Sequence, residues 1–156
     1  EIGVRLVGSE MCIRDSISDM DLIHSVDSVK LAAEIDRQAK RVGKVQDILM
    51  EVNIGAEASK SGVMPDELPE LLAQAAEFSN IRVKGLMTIP PPGDNEKFLF
   101  EMQKLFLDIS AKKMDNIDMD ILSMGMSGDY ADAIRYGATI VRIGSALFGA
   151  RKYPQK

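Results

Sequence analysis

Two short segments hold most of the residues whose type and spacing could do chemistry. SMGMSGDY (residues 123–130) and VRIGSA (residues 141–146) each end an apolar run in small residues and then pass into helical spacing. Gly and Ser at such a junction leave backbone N–H groups uncovered where a helix begins, and the partial positive charge there suits a phosphate. Ser127, Gly144 and Ser145 are the candidate donors. The competing reading is that the glycines simply let strand and helix pack closely, and the turns taken alone leave both readings open. Arg142 stands just before Gly144. Its planar fork could clamp a phosphate, face the nitrogen of an aromatic ligand, or pair with a carboxylate on a sheet wall.

Signals elsewhere are weaker. Lys60, in SKSG, falls in a polar loop after a strand-like run, where a solvated lysine is the commoner reading. His24, beside Ser25 and Asp27, reads as a wall or core histidine ahead of a catalytic one. The 10 methionines are scattered over helix faces and strands, as core filling requires. Met87 and Met126, near strand ends, could instead line a flat ligand. The sequence contains no GxGxxG, GxxxxGK[ST] or GxSxG motif, so dinucleotide, P-loop and nucleophile-elbow readings fail.

The elements that must position these residues alternate in period. Asp21–Asp27 reads as a strand, and Ser28–Lys40 as a helix capped by Asp27 or Ser28, with Leu31, Ala32, Ile35 and Ala39 on one face. Gly43 ends it. Asp47–Asn53 is the next strand. Pro65 is expected at the first helical position, with Asp66 and Glu67 at the positive end of the dipole and Leu68, Leu71, Leu72 and Ala75 as the buried stripe. Val83–Ile89 is a third strand, closed by PPPGDN. A helix carrying Phe98, Met102, Leu105, Phe106 and Ile109 follows. Then come a strand at Ile121–Met126, a short helix near Tyr130–Tyr136 stopped by Gly137, a strand at Thr139–Ile143 and a final turn at Ser145–Gly149. Strands that are near-continuous apolar runs, each followed by a helix, require a parallel sheet, either doubly wound or barrel-like. A complete barrel usually takes about 200–250 residues, and this chain of 156 residues offers about five strands.

Bulk composition narrows the class. A hydrophobic share of 46% against 28% charged is that of a globular domain rather than a disordered chain. No apolar run approaches the ~18 residues of a membrane span. With 19 basic and 24 acidic side chains the net charge is −5, which argues against general nucleic-acid binding. A single cysteine and a single histidine exclude a disulfide framework and multi-His or Cys-rich metal sites. A cytoplasmic location is the expectation. The opening EIGVRLVGSEMCIRDS follows neither helical nor strand periodicity and is similar to translated sequencing-adapter read-through. Residues 1–16 are therefore read as a non-native or disordered leader, Cys12 as functionless, and residues 17–156 as the domain.

IHSVDSVKLA, EVNIGAEASKSGV, VKGLMTIPPPGD, DILSMGMSGDYADAI and VRIGSALFGARKY resemble the pyridoxal phosphate homeostasis family, from about Ile17 to Tyr153. SMGMSGDY together with VRIGSALFG is the most specific part of the match. The resemblance implies a (β/α)8 TIM-type barrel like the N-terminal barrel of alanine racemase, here a partial barrel with about five C-terminal βα units. It also implies a pyridoxal 5′-phosphate (PLP) ligand with no established catalytic turnover. Carried over by position, it puts the cofactor phosphate against Ser127, Gly144 and Ser145 with Met126 beside it, Arg142 facing the pyridine nitrogen, and Met87 near the ring. An arginine there keeps that nitrogen unprotonated and weakens the ring as an electron sink.

The sequence also departs from the family. The segment reading roughly VAVSKT that carries the aldimine lysine, and the GEN and HFIG-x-LQ-x-N-K motifs after it, do not occur. The expectation is a fragment that keeps the phosphate half of the site and lacks the aldimine lysine. Two open sheet edges would make it oligomeric or prone to aggregate, whereas the full-length form is expected to be a monomer or weak dimer. The expected function is a non-catalytic PLP carrier in vitamin B6 homeostasis, with PLP-dependent enzymes as its clients. The alternative is the barrel domain of a PLP-dependent amino-acid racemase or decarboxylase. A phosphosugar barrel enzyme is disfavoured, because Met, Ser, Thr and Gly stand where its acid–base groups would be needed.

Overall fold

Apolar runs punctuated by amphipathic helices give a strand–helix alternation through residues 17–93, 95–112 and 114–149, which the computed structural model of the chain describes. The expectations for residues 1–16, for Cys12 and for the tail after Gly149 lie outside these residues. Five strands, β1 (Leu22–Val26), β2 (Gln46–Val52), β3 (Ile81–Thr88), β4 (Ile117–Met126) and β5 (Ile140–Arg142), form one sheet among the described residues. Every pairing is parallel and every strand lies beside its sequence neighbour, in the order β1-β2-β3-β4-β5. A doubly wound sheet would reverse direction about a switch point, whereas steady progression in one direction is how a barrel wall is wound. The partial barrel expected from the sequence is what forms.

The helices are α1 (Val29–Arg41), α2 (Leu68–Ala75), α3 (Glu96–Ser110), α4 (Tyr130–Arg135) and α5 (Ser145–Phe148). Their buried stripes, including Ala32, Ile35 and Ala39 of α1, Leu68, Leu71 and Leu72 of α2 and Leu99 and Met102 of α3, join Ile48, Met50 and Val52 of β2 and Leu122 and Met124 of β4 in one core. Side chains alternate across a strand, so Leu49 and Glu51 of β2 and Ser123 of β4 fall on the opposite face. That face is where polar groups gather.

The sheet is strongly curved. Strands β1 and β4 are three spacings apart, about 14 Å in a flat sheet. Yet His24 on β1 and Ser123 on β4 meet at 3.2 Å, side chain to side chain. Two such short side chains span that gap only if the helix-free face is concave. Two glycines admit the bending. Gly85, at a register shift in β3 with φ +150°, lies so close to β4 that a Cβ would sit 1.8 Å from the Ile121 carbonyl oxygen. Gly125, at φ +95°, would place a Cβ 2.5 Å from the Ala133 methyl group.

The structure chooses between the two caps offered for α1 and moves the starts of α2 and β4. Ser28 alone caps α1, its hydroxyl accepting from the Leu31 amide. Helix α2 begins at Leu68 with Pro69 in its first turn, so Pro65 is not at the first helical position. Pro65 sits instead in a preceding turn, where the Met64 carbonyl accepts from the amides of Glu67 and Leu68. Strand β4 starts at Ile117 rather than Ile121, because Ile117 pairs with Val83 while Lys84 bridges the exposed Asp118 and Asp120. The aspartates disguise a strand whose register the neighbour enforces. Replacing Gly85 by alanine is expected to destabilise the domain by about 3 kcal/mol or more, through backbone collision and an unfavourable φ. An unchanged urea midpoint for Gly85→Ala would contradict the close approach of β3 to β4.

Candidate functional site

Strand register gathers the sequence-derived candidates at the carboxyl ends of β3, β4 and β5. Met87 pairs with Ser123 across β3 and β4, and Met126 pairs with Arg142 across β4 and β5. Met87 is buried and Met126 is exposed at the rim. Just past Met126, Asp129 closes the β4–α4 turn by accepting from the Met126 amide through its carboxylate at 2.6 Å. A short hydrogen bond from the Asn95 amide group holds the same carboxylate. That fixed turn presents Ser127. Its hydroxyl accepts from the Gly144 and Ala146 amides, both at 3.1 Å, so one oxygen joins the two Gly/Ser turns. Gly144 and Ser145 are exposed. The arrangement is a cluster of N–H and O–H donors at the sheet's rim, able to share its hydrogen bonds with an anion.

Arg142 is fixed beside this cluster. Its Nη1 donates to Ser123 Oγ at 2.7 Å and its Nη2 to the Thr88 carbonyl at 2.9 Å. Among the described residues its close partners are a hydroxyl and a carbonyl, which weighs against the reading of a wall arginine paired with a carboxylate. Burial lowers its pKa, while the more distant Glu51 and Asp129 carboxylates raise it. Guanidinium stays charged under any ordinary condition, so the site carries a permanent cation. Thr88 is itself held, its hydroxyl donating to the Val52 carbonyl at 2.7 Å.

His24, read from sequence as a wall residue, is part of the same assembly. Its Nδ1 lies 3.2 Å from Ser123 Oγ. Burial first, and then the Arg142 charge, lower its pKa below the ordinary 6.5. Glu51 on β2 moves the other way: burial and the Asp27 carboxylate raise its pKa, and Arg142 opposes them. The sequence offered no signal for His24 or Glu51 beyond polar residues in apolar strands, since their meeting depends on curvature. Lys60 is apart from the Arg142 network. It pairs with Glu57, donates to the Pro90 carbonyl at 3.3 Å, and borders a cavity of about 440 Å³ that reaches Asn95, Met126 and Asp129. Among the described residues no cluster of His, Cys, Asp and Glu could hold a metal, and no helix is long and apolar enough to cross a membrane.

Residues 8–152 match the family described as alanine racemase, N-terminal domain. Similar curated proteins include the pyridoxal phosphate homeostasis proteins of Aquifex aeolicus, 46% identical over 136 residues, and of Pseudomonas aeruginosa, 41% identical over 135 residues. The alignments cover 85% and 84% of this chain and 59% and 56% of those proteins, so the chain spans under three fifths of their length. Among solved structures, PipY of Synechococcus elongatus with PLP bound has a TM-score of 0.79 at 28% identity, covering 90% of this chain and 66% of that one. An alanine racemase of Clostridium difficile, with a TM-score of 0.66 at 19% identity, covers 99% of this chain and 41% of that one and shares the fold.

The opposed shifts of His24 and Glu51 give stability a definite pH dependence. The folded protein disfavours the imidazolium, so the unfolded chain binds the extra proton and stability falls as pH drops below about 6.5. Glu51 holds its proton more tightly in the folded state, so it partly offsets that loss. Thermal melts from about pH 7 to about pH 5 should therefore show a shallower decline for His24→Gln and a steeper one for Glu51→Gln. Parallel curves for all three proteins would contradict these environments.

Proposed function

The chain belongs to the family of the alanine racemase N-terminal domain, and on that premise we propose that it binds pyridoxal 5′-phosphate as a non-catalytic carrier in cytoplasmic vitamin B6 homeostasis. The observation that carries this reading is the Ser127 hydroxyl tying the Gly144 and Ala146 amides together, one strand register away from a fixed guanidinium. An ester phosphate needs convergent donors at one end, and a pyridine ring needs a donor or cation at the other. The residues present fit both ends of such a ligand. Ser127, Gly144 and Ser145 would take the phosphate, Met126 and Met87 would flank the ring, and Arg142 would face its nitrogen.

When bound, the cofactor supplies an aldehyde reactive toward amines and a ring able to withdraw electrons. The protein's own groups temper the second property. A guanidinium has no proton to give up to the ring nitrogen and no negative charge to stabilise a protonated one, so it favours the unprotonated ring. The sequence has no segment resembling VAVSKT, so the hold within this chain is assigned to hydrogen bonds and to the charge of Arg142. Client enzymes that accept PLP from the full-length protein are part of the same proposal.

Absorbance titration with PLP, followed by dialysis, borohydride reduction and peptide mapping, tests this reading. Reversible saturation without a stoichiometric lysine adduct is expected. Ser127→Ala should weaken binding about tenfold, the effect of losing a hydrogen bond to a charged group. Failure of the wild-type chain to bind PLP at millimolar concentration would sink the proposal, and one lysine labelled to completion would overturn its non-covalent part.

A further inference from the structure

Ser123 is fully buried, and its hydroxyl is the meeting point of β1, β4 and β5. A hydroxyl offers one proton and accepts through its lone pairs, whereas a guanidinium can only donate. Ser123 Oγ therefore accepts from Arg142 Nη1, and its own proton is available to His24 Nδ1, 3.2 Å away, when that nitrogen is bare. That direction of bonding requires a neutral imidazole with its proton on Nε2. The surroundings favour neutrality: the ring is partly buried, and the charge acting on it is the Arg142 cation of β5. The Glu51 carboxylate of β2 acts in turn on Arg142. The guanidinium thus hangs from two acceptors, the Thr88 carbonyl and the Ser123 hydroxyl that also meets His24.

We propose that His24 is a positioning residue, which by accepting the Ser123 proton holds the Arg142 guanidinium aimed at the ring end of the bound ligand. This rests on the reading of Arg142 as the partner of the pyridine nitrogen. Without His24 the Ser123 hydroxyl can rotate its proton toward Arg142 and lose its lone-pair alignment, and the fork is then held by Thr88 alone. The loss is specific to the ring. Ser127 and the Gly144 and Ala146 amides hang on separate hydrogen bonds.

Two measurements on the full chain test the role. The protein has one histidine, so a long-range proton–nitrogen NMR spectrum reads its tautomer directly. Near neutral pH, Nδ1 should be bare and Nε2 protonated, with the preference lost in Ser123→Ala; a protonated Nδ1 overturns the proposal. The second measurement compares binding of pyridoxine 5′-phosphate with that of its ring-N-methylated analogue, which keeps the phosphate and blocks the ring nitrogen. The wild type should prefer the unmethylated ligand about tenfold. His24→Ala should reduce that preference to about twofold, and His24→Asn, whose amide oxygen can stand in for Nδ1, should restore most of it. Ser127→Ala should weaken both ligands and leave the preference intact. Wild-type protein that binds neither ligand refutes the cofactor reading, and the positioning role with it. Binding of both equally leaves that reading standing and removes the role, as does a tenfold preference that survives His24→Ala.

Discussion

The curvature of the sheet is the constraint on which everything else rests. Five parallel strands could lie nearly flat, and then His24 on β1 would stand about three strand spacings from Ser123 and its neighbour Arg142. Bent, the sheet brings side chains from β1, β4 and β5 to one buried hydroxyl. The bend and the network support each other. A buried polar group without a partner costs roughly 1–3 kcal/mol, so a flatter sheet would forfeit these bonds, and the bonds in turn penalise flattening. Gly85 makes the bend sterically possible, since any side chain there would meet the Ile121 carbonyl.

From that bend follows a division of labour between the two faces. The convex face is apolar and takes the helices, with Ile48, Met50, Val52, Leu122 and Met124 in its core. The concave face carries the titratable groups, and they are not independent. Burial and then the Arg142 charge lower the His24 pKa, and Arg142 also opposes the rise that burial causes at Glu51, so one cation disfavours the imidazolium and favours the charged form of a carboxylate. The donor cluster at Ser127 lies outside this exchange at the solvent-exposed rim, where a ligand could enter without disturbing it. A small molecule with an anionic end and a heteroaromatic end matches that gradient from wet to dry.

The alternation of strands and helices was legible because it depends on local patterning. Apolar runs at Asp47–Asn53 and Val83–Ile89, and the stripe of Leu68, Leu71, Leu72 and Ala75, announce their elements whatever surrounds them. The Gly/Ser turns at Ser127 and Gly144 were legible for the same reason. The start of β4 was not, because Asp118 and Asp120 look like loop residues until Lys84 on the next strand is seen to bridge them. Pro65 misled in a related way, marking a turn whose continuation into α2 is set by Leu68 packing in the core.

The sequence by itself determined the class of fold, the direction of the sheet and the two turns that gather donors, since each follows from composition and spacing within a few residues. Its motifs also carried the family resemblance and the assignment of Arg142 to the site. Only the tertiary structure decided what holds Arg142 and which residue His24 meets. Ser123 and His24 are 99 positions apart, and no local pattern encodes their contact. It arises because non-adjacent strands of a curved sheet converge on its concave side, a property of the assembled sheet and not of any strand within it.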